Sequence, residues 1–248
     1  MYTIEQRDHI RERVLDLARS DQRVTAGALT GSTAFGAGDE WSDVDIAFGV
    51  ADDSTPEAVL DDWTVLFTRE LGVLHHWDLR SGSWVYRVFL LPSGLEVDIG
   101  VAPEKDFGAR GPRFRALFGN PRQLEPLPPP DAGHTVGLGW HHVLHARSCI
   151  ERGKPWQAEY WISAVRDYTI TLASLRLGEA ASDARGADRL PAEVTGPLEG
   201  ALVRSLDEAE LRRALAVATG CFIGEVEALD AVLCARLRPV LEEFGGLQ

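Results

Sequence analysis

Cysteine is scarce in this chain of 248 residues: Cys149, Cys221 and Cys234 are the only three, and no two form a C-x-x-C pair. That excludes a disulfide scaffold and a C-x-x-C zinc or redox motif, and makes reduced, buried thiols the expected state. Long apolar runs are missing too. None approaches the ~18 residues that a membrane-spanning helix needs, so no membrane span is expected. The first residues, Met1-Tyr2-Thr3-Ile4-Glu5-Gln6-Arg7-Asp8, carry charge where a signal peptide has its apolar stretch, and a cytoplasmic location is the expectation. Basic residues are in short supply: 25 Lys and Arg stand against 38 Asp and Glu, a net charge of −13. Nucleic-acid binders neutralise phosphates with clustered cations, so a polymerase or RNA-tailing role is disfavoured. A cationic small molecule would be drawn to such a surface, although solubility alone accounts for the charge equally well. The length and the 45% hydrophobic content suffice for one large or two modest domains, each with a real core.

Against that background one spacing stands out. Ten residues separate Gly31-Ser32 from Asp43-Val44-Asp45. Two aspartates at i and i+2 on a strand share a face, where they can hold a divalent metal with hard oxygen ligands. The Gly-Ser turn upstream offers backbone N–H groups and a hydroxyl to a phosphate, with no Cβ to block close approach at the glycine. A third element follows. The β-rich runs Ser83–Leu91 and Leu95–Val101 flank Pro92-Ser93-Gly94, a hairpin signal. On the second run Asp98 sits between Val97 and Ile99, and a carboxylate there is costly unless it meets a cation or donors. Three carboxylates gathered together repel, which calls for a metal. Glu96 shares the face of Asp98 and is the reserve candidate.

Periodicity supplies the frame. Ile4–Arg19 reads as an amphipathic helix, Val24–Leu29 and Val44–Val50 as strands, Pro56–Leu71 as a helix capped by Thr55, and Gly72–Leu79 as a strand before the hairpin. This predicts an α+β class: an N-terminal mixed-sheet domain over residues 1–118 and, beyond a Pro-rich linker at 119–133, an all-helical bundle over residues 134–248. Within the bundle, helices are expected at Trp140–Glu151, Pro155–Leu177, Pro197–Arg204, Glu208–Ala218 and Phe222–Phe244.

Gly-Ser, ten residues, Asp-Val-Asp and a later strand Asp together resemble the nucleotidyltransferase superfamily typified by DNA polymerase beta, over roughly residues 27–101. Within it the chain is most similar to the small antibiotic-modifying enzymes that adenylylate aminoglycosides or lincosamides. A further likeness runs through Gly153–Trp161 and Arg166-Asp167-Tyr168. The resemblance implies Mg²⁺-dependent transfer of a nucleoside monophosphate from an NTP, with ATP the expected donor, to a hydroxyl of a small cationic acceptor. Asp43 and Asp45 would bind the nucleotide's Mg²⁺, and Asp98 would complete a second, catalytic ion. Ser32 in the Gly31-Ser32 turn would contact the β- or γ-phosphate, and Ser42 would either cap the turn or touch the phosphates. A helical carboxylate facing the metal site, Glu159 with Asp167 in reserve, would deprotonate the acceptor. Lys154 and Arg166 are the candidate phosphate partners from the helical half, and the acceptor would sit in a cleft between the domains.

Other features have plainer readings. Arg110, Arg113 and Arg115 form the densest basic cluster, read as a surface loop ahead of a triphosphate contact. His141 and His145 share a helix face at zinc-ligand spacing but lack a third ligand, which favours a structural pair. The tryptophans 77, 84, 140, 156 and 161 are expected mostly in the core, with one or two lining the acceptor pocket. Two rival functions stay open: nucleotidyl transfer to a macromolecule, such as an antitoxin-type modification of a protein or RNA end, and a degenerate nucleotide-binding module. The oligomeric state is not legible.

Overall fold

The computed structural model describes residues 2–247. Helix α1 (Ile4–Ser20) begins at a capping box in which the Thr3 hydroxyl accepts from the Gln6 N–H and the Gln6 side chain accepts from the Thr3 N–H. Strand β1 (Val24–Thr30) leads into a short 3₁₀ turn over Ser32–Phe35, and the chain returns as β2 (Val44–Val50). Thr55 caps α2 (Pro56–Leu71) by accepting from the Ala58 N–H, with Pro56 in the first turn. Strands β3 (His75–Ser81), β4 (Trp84–Leu90) and β5 (Glu96–Pro103) follow. The predicted β3 begins three residues late because Gly72, at φ 69°, is spent on the left-handed C-cap of α2.

The six-stranded sheet runs β3-β4-β5-β2-β1-β7, where β7 is Phe114–Phe118. The central pair β2/β5 is parallel and the other neighbours antiparallel. It is therefore the mixed sheet of the predicted α+β class. A second, two-stranded piece pairs β6 (Gly108–Ala109) with β8 (Arg122–Gln123), so part of the Pro-rich run is tied back to the first unit. Two compact units divide between Leu127 and Pro128.

Alternation along the strands decides what each face of the sheet carries. On one face Leu29, Ile46, Phe48, Val85, Phe89, Val97, Ile99 and Val101 pack under α1 and α2, with Trp63 edge-on to Phe48 at 5.2 Å. The other face is built from small residues, Ala26, Ala28, Ala47 and Ala102, under Phe107, with Trp84 and Phe114 against them.

The second unit is helical: α3 (Ala132–Glu151), α4 (Pro155–Leu177), α5 (Ala192–Glu199), α6 (Glu208–Leu229) and α7 (Ala231–Gly245). Helix α3 starts eight residues before the predicted Trp140. Its glycines hide the periodicity, and Gly139 is needed because a Cβ there would lie 2.2 Å from the Phe222 ring of α6. Helix α5 follows Pro191 and carries Pro197 inside it, where the sequence suggests a start. Helix α6 runs unbroken through Gly220-Cys221, because Ala218, Thr219, Phe222 and Ile223 are all buried and their packing outweighs the ~1 kcal/mol that glycine costs a helix. The break comes at Asp230, whose side chain caps α7 by accepting from the Leu233 N–H. No helix among the described residues is long and apolar enough to cross a membrane.

Candidate active site

Parallel pairing of β2 with β5 places Asp45 directly beside Asp98. Both project from the face opposite α1 and α2, since their neighbours Val44, Ile46, Val97 and Ile99 belong to the helix-covered core. Asp43 lies just before the first residue of β2 and close enough that its charge acts on Asp98. Burial first, then the Asp43 and Glu96 charges, push the Asp98 carboxyl up to about 6. Its Oδ1 is buried with no hydrogen-bond partner in the structure. Glu96, the reserve candidate, is exposed at the start of β5.

Gly31 follows β1 at φ 64°, ψ −150°, a conformation suited to glycine. A Cβ built there would lie 1.8 Å from Oδ2 of Asp45. The turn backbone is therefore pressed against the carboxylate, which no side chain at position 31 permits. Gly31→Ala is expected to cost about 1–3 kcal/mol in urea melts through strain and displacement of Asp45. An unchanged midpoint would mean that the turn and Asp45 relax apart freely.

The ten-residue loop between the two motifs is closed by Ser42. Its hydroxyl accepts from Ser32 Oγ at 3.2 Å and from the Asp39 N–H at 2.9 Å, and donates to Asp39 Oδ1 at 3.0 Å. Of the two roles open to Ser42, the structure displays the turn-building one. The Ser42 hydrogen bond, with the Trp41 N–H, holds the Asp39 carboxyl below its ordinary range. Sequence reasoning missed the anchor of this loop. The guanidinium of Arg7 in α1, almost wholly buried, donates to the Asp39 carbonyl, and the Tyr2 hydroxyl donates to the Ser42 carbonyl at 3.2 Å. Asp39-x-x-Ser42 is a local turn pattern that reading could have found. The distant Arg7 gave no signal, because a charged helix residue ordinarily faces water.

Gly31, Ser32, Ser42, Asp43, Asp45 and Asp98 thus form one constellation within the first unit. Among the described residues no three His, Cys, Asp or Glu side chains stand as a ready metal cage. The donor set nevertheless fits a hard divalent ion. It is all carboxylate oxygen, one buried oxygen of Asp98 lacks a partner, and burial with the Asp43 and Glu96 charges raises the Asp98 carboxyl, a cost that a cation would relieve.

The remaining predicted residues lie on α4 in the second unit. Lys154 is its exposed N-cap, and Arg166 pairs with Asp167 at 3.3 Å. Twelve residues put Arg166 about 18 Å further along the helix and roughly a third of a turn round it, so the two cations form no single cluster. Glu159 is half-buried and accepts from Ser163 Oγ at 2.7 Å. Asp167 is exposed. The tryptophans expected mostly in the core are not there: 77, 140 and 156 are exposed and 84 and 161 half-buried, Trp161 packing on His142 and His145. His141 and His145 meet edge to face, with ring centroids 4.3 Å apart.

No family model matches the chain, and no curated protein matches its sequence. Among solved structures, an aminoglycoside 6-adenyltransferase from Bacillus subtilis is similar over 98% of this chain and 99% of that one, at 13% identity and a TM-score of 0.40. A likeness that loose decides neither the activity nor the site.

Proposed function

We propose that the protein is a divalent-metal-dependent nucleotidyltransferase that moves a nucleoside monophosphate from an NTP to a hydroxyl of a small acceptor. The observation that carries this reading is the in-register pair Asp45/Asp98 with Gly31 pressed against Asp45. It joins the phosphate-turn half and the carboxylate half of the sequence pattern at one point, and that pattern resembles the polymerase-beta-type transferases. Asp43 and Asp45 would hold the Mg²⁺ of the nucleotide, and Asp98 a second ion; bound there, Mg²⁺ supplies charge neutralisation at the phosphates and activation of the attacking hydroxyl. The Gly31-Ser32 backbone and the Ser32 hydroxyl would receive the phosphate chain, on a loop that Ser42, Asp39 and Arg7 hold in place. Glu159 is our candidate for the base that takes the acceptor's proton, with Lys154 and Arg166 as candidate phosphate contacts from α4. The acidic chain favours a cationic acceptor of the aminoglycoside or lincosamide kind.

The test is mass spectrometry of an aminoglycoside and lincosamide panel incubated with protein, Mg²⁺ and each NTP in turn. The expected result is a gain of one nucleoside monophosphate on an acceptor with the native chain and none with Asp43→Asn. A gain that survives Asp43→Asn removes the metal assignment. No gain on any acceptor, with Mg-ATP still bound, moves the reading to a macromolecular target.

A further inference from the structure

The face of the sheet that carries the carboxylates also carries a pocket of about 510 Å³, lined within the first unit by Thr30, Ala47, Trp84, Tyr86, Arg110 and Arg113 among others. Strand register explains its shape. Asp45, Asp98 and Val88 lie in one row across β2, β5 and β4; the next row on this face is Ala28, Ala47, Gly100 and Tyr86 across β1, β2, β5 and β4; the next is Ala26, Gly49 and Ala102. The carboxylates stand one row along the strands from a floor of small residues, of which Ala47 lines the pocket while Ala26, Ala28, Gly49 and Ala102 are buried in the cluster around Phe107. Gly100 is required there, since a Cβ would lie 2.9 Å from the Tyr86 ring. The small floor lets Tyr86 lie flat, with Trp84 stacked on it at 5.5 Å and an interplanar angle of 13°.

The opposite wall is cationic. Phe114 pairs with Thr30, so Arg113 stands level with Gly31, and its guanidinium sits 5.8 Å over the ring of Phe35 at the end of the Ser32–Phe35 turn. Arg110 donates to the backbone carbonyl of Glu125 at 2.8 Å. The contacts of both arginines are thus a ring and a carbonyl, in a chain whose acids far outnumber its bases. A polycation entering this pocket would meet two guanidinium groups. A phosphate chain would find them a natural match.

We infer that this pocket is the seat of the nucleotide: the base lies on the Tyr86–Trp84 pair, the phosphate to be attacked lies over Asp45 and Asp98, and the outer phosphates reach Gly31, Ser32 and Arg113, with Arg110 beside them. The dimensions agree. From β4 to β1 is three strand spacings, about 14 Å, comparable to an extended nucleoside triphosphate, and the carboxylates fall between its ends. The nucleotide is then held by the first unit, and the cationic acceptor is excluded from this pocket and must be met elsewhere. This inference rests on the proposed activity for the identity of the ligand.

The experiment is calorimetric titration of the full chain with ATP and, separately, with inorganic tripolyphosphate, each with Mg²⁺. Arg113→Gln is expected to weaken both by about tenfold or more, as loss of a charge-assisted contact does, with Arg113→Lys recovering part of it. Tyr86→Ala is expected to weaken ATP by a similar factor, the scale of one base–aromatic stack, and to leave tripolyphosphate unchanged. Arg113 is exposed, so its variants report even if Tyr86→Ala fails to fold. If both variants bind ATP as the native chain does while Asp43→Asn loses Mg-ATP, the pocket assignment is wrong and the proposed activity stands. If the native chain binds no ATP, both are wrong.

Discussion

Asp98→Asn is expected to abolish nucleotidyl transfer, by about three orders of magnitude or more, and at the same time to stabilise the metal-free protein. The first effect follows from removing a ligand charge where phosphate charge must be neutralised. The second follows from the folded state. Asp98 is beside Asp45, is acted on by the charges of Asp43 and Glu96, and has a buried oxygen without a partner, so its carboxyl stands at about 6 instead of 3.8. For a carboxyl raised on folding, the stability contribution is complete below the unfolded value and lost as pH rises through the folded one. At pH 7.5 the ionised group therefore destabilises the fold by about 3 kcal/mol. The neutral amide removes that cost, which is worth on the order of 6–12 °C in a protein of this size. Thermal melts in EDTA should show the variant above the native chain at pH 7.5 and level with it near pH 4. Added Mg²⁺ should raise the native midpoint and leave that of the variant nearly unmoved. A variant that melts below the native chain in EDTA would show that Asp98 is a satisfied structural carboxylate.

Arg87→Met should give the largest loss of stability. Arg87 in β4 is 5% exposed and lies on the helix-covered face of the sheet. Its guanidinium donates to both oxygens of Asp78 at 2.6 and 2.8 Å, and to Asp61 at 2.8 Å and Thr64 at 3.0 Å, so it joins β3, β4 and α2. Methionine fills part of the volume but leaves Asp78 unpaired at the edge of the core. Breaking a buried pair in this way costs about 3 kcal/mol or more, a large share of a marginal folding energy. Asp78 supplies the pH signature. The Arg87 hydrogen bonds hold its carboxyl below the ordinary value, outweighing desolvation. A depressed carboxyl stabilises above its unfolded value and loses that contribution as pH falls through the folded one. The native advantage over Arg87→Met in urea should therefore be level from pH 5 to 8 and shrink below about pH 4. An advantage that does not change with pH would mean that packing, rather than the ion pair, carries it.

What could be read in advance divides along physical lines. Thr55-Pro56 announced a helix start, because capping is decided by a few adjacent residues. The start of α3 and the continuity of α6 were not legible, since packing of Gly139 on Phe222 and burial around Gly220 override local propensity. Nothing in the sequence marked Arg7 or Arg87 as buried, since burial at a distant partner is invisible to periodicity. The arginines of the 110–115 run read first as a surface loop, and only the pairing of Phe114 with Thr30 set Arg113 level with Gly31.

By itself, the sequence determined the spacing of Gly31-Ser32, Asp43-Val44-Asp45 and Asp98, the α+β class and the run of elements, because these depend on alternation, capping and turn residues within a few positions of one another. The tertiary structure alone decided that β2 lies parallel to β5 in a register that sets Asp45 beside Asp98, that Gly31 closes on that carboxylate, and that a pocket lined by Ala47, Tyr86 and Arg113 opens on the same face of the sheet. Strand order and register follow from which faces of distant segments bury each other best, and that free energy belongs to the whole packed sheet and to no stretch of chain alone.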